Sequence, residues 1–192
     1  MPVKILFICT GNTCRSPLAE GLLRQMAEQQ NLSVEVKSAG ISAMQGAPIS
    51  PHSRTILQRK GIAWTHSSQP ATADLIQWAD IVLTMTTSHK SIVIQKHPQE
   101  LEKIHSLKEF VENDPHVLAA ISESESLYSE LEVRKVFSQT ITIEERRRLM
   151  ELEQSLPNYD IVDPFGGTLT EYEQCATEIE QSLQKLVDKI KQ

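Results

Sequence analysis

Within the first sixteen residues a cysteine and an arginine stand six positions apart, in the run Cys9-Thr10-Gly11-Asn12-Thr13-Cys14-Arg15-Ser16. A near-continuous apolar stretch, Val3 to Cys9, precedes the run, and Ser16-Pro17 follows as a helix start, with serine at the cap and proline in the first turn. A loop of this length between a buried strand and a helix can wrap backbone N–H groups around a phosphoryl group, and the helix terminus adds positive potential. Donors of that kind also stabilise a thiolate, the nucleophilic form of cysteine. Arg15 can grip two phosphoryl oxygens with its planar fork, which a lysine does less well. Ser16 can donate to the sulfur and ease its departure, while Gly11 and Asn12 tolerate left-handed backbone. The bland alternative makes Cys9 an inert core thiol and Arg15 a surface cation. A bare Cys/Arg spacing is weak, but the full octet between strand and helix is much more specific. A nucleotide-binding loop would end in Gly-Lys-Ser/Thr, which is missing.

A cysteine phosphotransfer mechanism needs an acid for the leaving group and later a base for water. Asp163-Pro164-Phe165-Gly166-Gly167 offers one, in a Pro/Gly-rich loop just before the last helical segment and beside an aromatic that can wall a pocket. Alone, such a segment reads as an ordinary turn; paired with the first loop, it reads as the acid. The histidines show no metal-ligand spacing, so no metal or other cofactor is expected.

These loops need a frame. Apolar positions Leu18, Leu22, Leu23 and Met26 give the helix after the first loop a buried stripe. Leu32–Lys37 alternates like an edge strand, Ser53–Arg59 reads as a helix stopped by Gly61, and Ala73–Trp78 as another. Ile81–Met85 is a second buried strand, Thr87–Gln95 a helix and Ile104–Leu107 a fourth strand. This alternation predicts an α/β fold, an open four-stranded parallel sheet with helices on both faces, whose ligands bind beyond the carboxyl ends of the strands. Tyr172, Cys175, Ile179, Leu183, Leu186 and Ile190 mark one face of a final helix that Thr170 and Glu173 can cap. Residues 114–156 break the pattern. Leu127, Leu131, Leu149, Leu152 and Leu156 fall at helical spacing among charges, and Thr142 with Glu145 forms a capping box, so one or two amphipathic helices form an insertion before the acid loop. There is no internal repeat, and the 192 residues suit a single domain, 1–192, that includes this insertion.

A formal charge of −6 argues against nucleic acid as a partner, and no apolar run approaches membrane-spanning length. The opening Met-Pro-Val-Lys-Ile-Leu-Phe-Ile-Cys reads as a strand and not a signal peptide. Three cysteines make no disulfide framework, and thiols without a leader point to the reducing cytoplasm.

Cys9 to Glu20 resembles the phosphate-binding loop and first helix of the low-molecular-weight protein phosphatases, and Asp163–Gly167 resembles their general-acid loop. Ser38-Ala39-Gly40, Thr65-His66 and Met85-Thr86 fall where that family has comparable segments. The resemblance implies a two-step, metal-free mechanism on phosphorylated proteins. Cys9 becomes phosphocysteine while Asp163 protonates the leaving group, Asp163 then activates water, and Arg15 binds the phosphoryl group throughout. Asn12 matches a residue that holds the loop, and His66 a histidine that supports it. Tyrosine-phosphate members carry a larger aliphatic residue at the Thr13 position, whereas the phosphoarginine branch carries threonine there and phenylalanine in the acid loop, as at Phe165. The resemblance therefore implies a bacterial protein-arginine phosphatase, opposing an arginine kinase in a stress response. Three alternatives stand beside it: a phosphotyrosine phosphatase of the same family, an arsenate reductase with a similar loop, and a phosphoprotein-binding module. The first turns on Thr13. The second needs relay cysteines, yet only Cys175 lies beyond Cys14, and the third needs neither nucleophile nor acid. Cys14 either packs beneath the loop or forms a reversible disulfide with Cys9.

Overall fold

The computed structural model describes residues 1–63 and 65–191. Four strands, β1 (Val3–Cys9), β2 (Val34–Gly40), β3 (Ile81–Thr84) and β4 (Ile104–Ser106), form one sheet in the order β2-β1-β3-β4. Every pairing is parallel, as the strand–helix alternation predicts. The chain leaves β1 towards β2 on one side and returns to β3 on the other. The reversal of strand order therefore falls at the carboxyl end of β1, where Cys9 lies level with Gly40 of β2.

Alternate residues of the central strands enter two separate cores. On one face Ile5, Phe7, Val36 and Leu83 pack with residues of α1 (Arg15–Gln29), α2 (Pro51–Arg59), α5 (Leu107–Phe110) and α8 (Leu169–Ile190). On the other, Leu6, Ile8, Val82 and Ile104 pack with Ile76 of α3 (Ala73–Trp78) and Val93 of α4 (Thr87–Lys96). Strands covered on both faces must read as continuous apolar runs, which is why Val3–Cys9 carries no alternation.

Several boundaries depart from the sequence reading. Helix α1 starts at Arg15 with Cys14 in the cap position, so Ser16 is not the cap. Its hydroxyl is occupied inside the loop, as described below. Helix α2 starts at Pro51, capped by Ser50. The capping box of α8 is Thr168 with Glu171, two residues earlier than Thr170 with Glu173. A 3-10 turn, Pro98–Lys103, leads into β4.

The chain divides into two compact units: Met1–Val111 with Tyr159 onward, and Glu112–Asn158. The second contains α6 (Pro115–Val136) and α7 (Ile143–Ser155). Leu131 and Leu152 are its buried leucines, Arg134 pairs with Glu130 and Glu145, and Arg148 with Glu123. Thr142 and Glu145 form the expected capping box. Among the described residues, no helix is long and apolar enough to cross a membrane.

Candidate active site

The loop that follows β1 is bent around one side chain. Asn12 adopts a left-handed backbone, φ 55°, the conformation its short amide tolerates; Gly11 does not adopt it. The amide is fully buried. Its Nδ2 donates to Ser16 Oγ at 2.9 Å and to Ser38 Oγ at 2.8 Å, and its Oδ1 accepts from the Gln69 N–H at 3.0 Å. The Asn12 carbonyl accepts from Ser68 Oγ at 2.7 Å and His66 Nε2 at 2.8 Å, which fixes the hydrogen of that imidazole on Nε2. Burial lowers the pKa of His66, and the bond to Asn12 opposes that shift only in part. Ser38 passes its own hydrogen to Glu20 Oε2 at 2.6 Å. Burial raises the pKa of Glu20, against the pull of Ser38 and Arg24.

Cys9 is 3% exposed. Its Sγ accepts the Asn12 backbone N–H at 3.2 Å and lies 3.0 Å from Ser16 Oγ. Because Ser16 accepts from Asn12, its own hydrogen is available to the sulfur; the Ala39 carbonyl is farther, at 3.4 Å. Gly40 closes the loop from the side. A Cβ there would stand 2.5 Å from the Thr10 carbonyl oxygen and 2.9 Å from the Asn12 nitrogen.

The Thr13–Cys14 arm is tied to the start of α2, where the Ser50 N–H donates to the Thr13 carbonyl at 2.9 Å and Ser53 Oγ to the Cys14 carbonyl at 3.3 Å. Cys14 Sγ lies 3.2 Å from the hydroxyl of Tyr172 in α8. Cys175, one turn further on, is buried, and that burial pushes its thiol up to about 12. It is unsuited to a thiolate relay.

Arg15 is buried. Nη1 donates to the Ile161 carbonyl at 3.0 Å and Nη2 to Asp163 Oδ2 at 2.7 Å, whereas Nε meets no partner among the described residues. Asp163 Oδ1 accepts the Phe165 N–H at 3.2 Å, so this loop folds back on its own carboxylate. Ile161 in turn donates its N–H to the Met85 carbonyl, and Asp160 Oδ1 accepts both the N–H and the hydroxyl of Thr87 at the start of α4.

A cavity of about 210 Å³ is lined by Cys9, Thr10, Gly11, Thr13, Cys14, Arg15, Asp163 and Phe165. The Cys9 thiol, the Arg15 guanidinium and the Asp163 carboxylate therefore share one wall. Asn12, Ser16 and His66 sit behind that wall and shape it. Sequence reasoning missed Glu20, Ser38, Ser68, Gln69, Tyr172 and His89 as parts of the site. Ser38 and Glu20 lay inside segments already noted; nothing local marked His89. Among the described residues, no group of three His, Cys, Asp or Glu side chains is arranged to hold a metal ion. The set suits phosphoryl transfer to a thiolate, with the Asp163 carboxylate on the same cavity as a group chemically able to exchange protons.

The family model described as low molecular weight phosphotyrosine protein phosphatase matches residues 4–146, which includes the first loop and stops before Asp163. Two curated relatives extend the similarity past that point. A protein-arginine-phosphatase of Bacillus subtilis is 32% identical over 189 residues, covering 98% of this chain and 97% of the relative. One from Geobacillus stearothermophilus is 33% identical over 190 residues, covering 99% and 97%. Among solved structures, a mutant of the YwlE arginine phosphatase with a phosphorylated active-site serine superimposes with a TM-score of 0.74 at 32% identity, covering 99% of this chain and 97% of that one.

Proposed function

This chain belongs to the low molecular weight phosphotyrosine protein phosphatase family, and from that premise we propose that it is a protein-arginine phosphatase working through a phosphocysteine at Cys9. The observation that carries this reading is the buried Arg15. Its fork is braced by Ile161 and Asp163 beside Cys9, and its Nε has no acceptor from the described protein residues. Its nearly full-length similarity to two protein-arginine phosphatases supports the choice of phosphoarginine.

In the first step Cys9 Sγ attacks phosphorus, the P–N bond breaks, and Asp163 gives its proton to the departing guanidine nitrogen. A phosphoryl dianion competes with Asp163 for the Arg15 fork; the released carboxylate takes the Cys9 thiol proton, which leaves the thiolate to attack, and turns towards that nitrogen to deliver it. In the second step Asp163 takes a proton from water, the water oxygen bonds to phosphorus, and the S–P bond breaks. The Ser16 hydroxyl donates to the leaving thiolate, and inorganic phosphate is released. Backbone N–H groups of the loop, other than that of Asn12, which serves Cys9 Sγ, and the N-terminus of α1 stabilise charge on the phosphoryl oxygens in both steps. Thr13 and Phe165 on the cavity wall favour a planar guanidinium, and the Thr13 hydroxyl positions the attacking water. The three free thiols fit a cytoplasmic setting.

Phosphate release from matched phosphoarginine and phosphotyrosine peptides tests this reading. The expected result is strong preference for phosphoarginine, and no release by Cys9→Ser. Preference for phosphotyrosine would overturn the substrate assignment and leave the chemistry standing.

A further inference from the structure

One buried side chain is unused by this mechanism. His89, in the first turn of α4, places Nε2 2.9 Å from Thr10 Oγ1. Its Nδ1 is buried and, among the described residues, meets no hydrogen-bond partner. The backbone that carries it is fixed on its own account. Thr86 Oγ1 accepts the His89 N–H, and Thr87 is held by Asp160. The ring is therefore presented to Thr10 by a capped helix, and Thr10 lines the cavity.

Two tautomers fit the 2.9 Å contact. With hydrogen on Nδ1, a buried N–H goes unpaired. With hydrogen on Nε2, only a lone pair does, and an orphaned N–H is the rarer and costlier of the two. In the second tautomer Nε2–H donates to Thr10 Oγ1, so the threonine hydroxyl no longer needs its hydrogen for the imidazole. We propose that His89 is a positioning residue which, as its Nε2–H tautomer, holds Thr10 Oγ1 and leaves the hydroxyl hydrogen to be donated to the phosphoryl group beside Cys9, making Thr10 a further catalytic donor.

The charged groups facing the ring agree with a neutral imidazole. Burial, reinforced by the Arg15 cation, pushes its pKa down to about 4, against the opposing carboxylates Asp163 and Asp160. A neutral donor on a fixed helix also needs no rearrangement as charge builds on the phosphoryl oxygens, which is the condition for effective electrostatic stabilisation. The proposal rests on the phosphatase reading above, and its test separates the two.

Turnover of a phosphoarginine peptide and calorimetric binding of inorganic phosphate are measured for the wild-type chain, Thr10→Val, His89→Leu, the double variant and His89→Gln. Thr10→Val and His89→Leu are each expected to lower kcat/KM about tenfold or more, and both to weaken phosphate binding. The double variant should fall within about twofold of the worse single, because both remove the same donor. His89→Gln, whose amide N–H can reach the Nε2 position, should restore most of the activity, and unchanged melting curves would exclude a folding effect. Wild-type kcat/KM and phosphate affinity in Thr10→Val would overturn the proposal, as would losses that multiply in the double variant. If the wild-type chain releases no phosphate from the phosphoarginine peptide or from its phosphotyrosine match, the phosphatase reading fails, and phosphate binding still decides between a coupled and an uncoupled pair.

Discussion

Asn12 shapes this site more than its modest chemistry suggests. A single residue supplies the left-handed turn, an N–H to Cys9 Sγ, two amide donors to Ser16 and Ser38, and two acceptors that fasten the loop to residues 66–69. Glycine would keep the backbone angle and lose the side-chain network; alanine would lose both. Asn12→Ala is therefore expected to cost about 1–3 kcal/mol of stability in urea melts, because Ser16 and Ser38 lose the donor they share and the Gln69 N–H loses its acceptor. It should also lower kcat by at least about tenfold, since the Cys9–Ser16 geometry is relayed through the amide. A normal kcat would mean that the loop holds its shape without that relay. Thr13 carries a different kind of prediction. It lines the cavity while its backbone is pinned by Ser50, so Thr13→Ile changes the wall without moving the loop. The ratio of phosphoarginine to phosphotyrosine turnover should then shift towards phosphotyrosine, and an unchanged ratio would remove Thr13 from the specificity argument.

Gly40 at the carboxyl end of β2 shows how elements discipline the loop. An alanine Cβ there would meet the Thr10 carbonyl at 2.5 Å and the Asn12 nitrogen at 2.9 Å, both backbone atoms with nowhere to retreat. Gly40→Ala is expected to cost about 1–3 kcal/mol as an overpacked contact. Its loss of kcat/KM should be larger than that of a distant mutation of equal cost, because the displaced atoms are those of the loop itself. Activity that merely tracked stability would contradict this. At this scale the sequence was informative wherever physics is local. Apolar runs marked β1 and β3, a capping box marked α7, and helical spacing marked α8. It misled where two local solutions were equally good. Ser16 reads as a cap, but its hydroxyl serves Cys9 and Asn12. Thr170 with Glu173 has the same form as Thr168 with Glu171, and only the path of the chain out of the acid loop selects the earlier pair. The support network was legible only in fragments. Ser38, Gln69 and His89 meet the loop, and Glu20 meets Ser38, across sequence separations that no spacing rule spans.

Across the whole molecule, every residue on the cavity and behind it belongs to the unit formed by Met1–Val111 and Tyr159 onward. A chain in which 112–158 is replaced by a short flexible linker is therefore expected to fold and keep most of its kcat/KM on a small phosphoarginine peptide, whereas a collapse of turnover with an intact fold would give the helical insertion a catalytic role. The buried imidazoles make a second whole-molecule prediction. Burial lowers the pKa of His66, His89 and His105, that of His89 from 6.5 to about 4. Below about pH 6.5 the unfolded chain then binds protons that the folded chain refuses, so stability falls as pH drops from there towards 4. For His89 alone the full effect is on the order of 3 kcal/mol. Glu20 acts in the opposite sense. Burial raises its folded pKa, so the folded protein takes up that proton first and gains stability as pH falls through the raised value. In urea melts between pH 7 and 4, His89→Gln should flatten the acid loss of stability and Glu20→Gln should steepen it. If both variants ran parallel to wild type, neither group would be titrating as its burial requires, and the neutral imidazole behind Thr10 would lose its thermodynamic support.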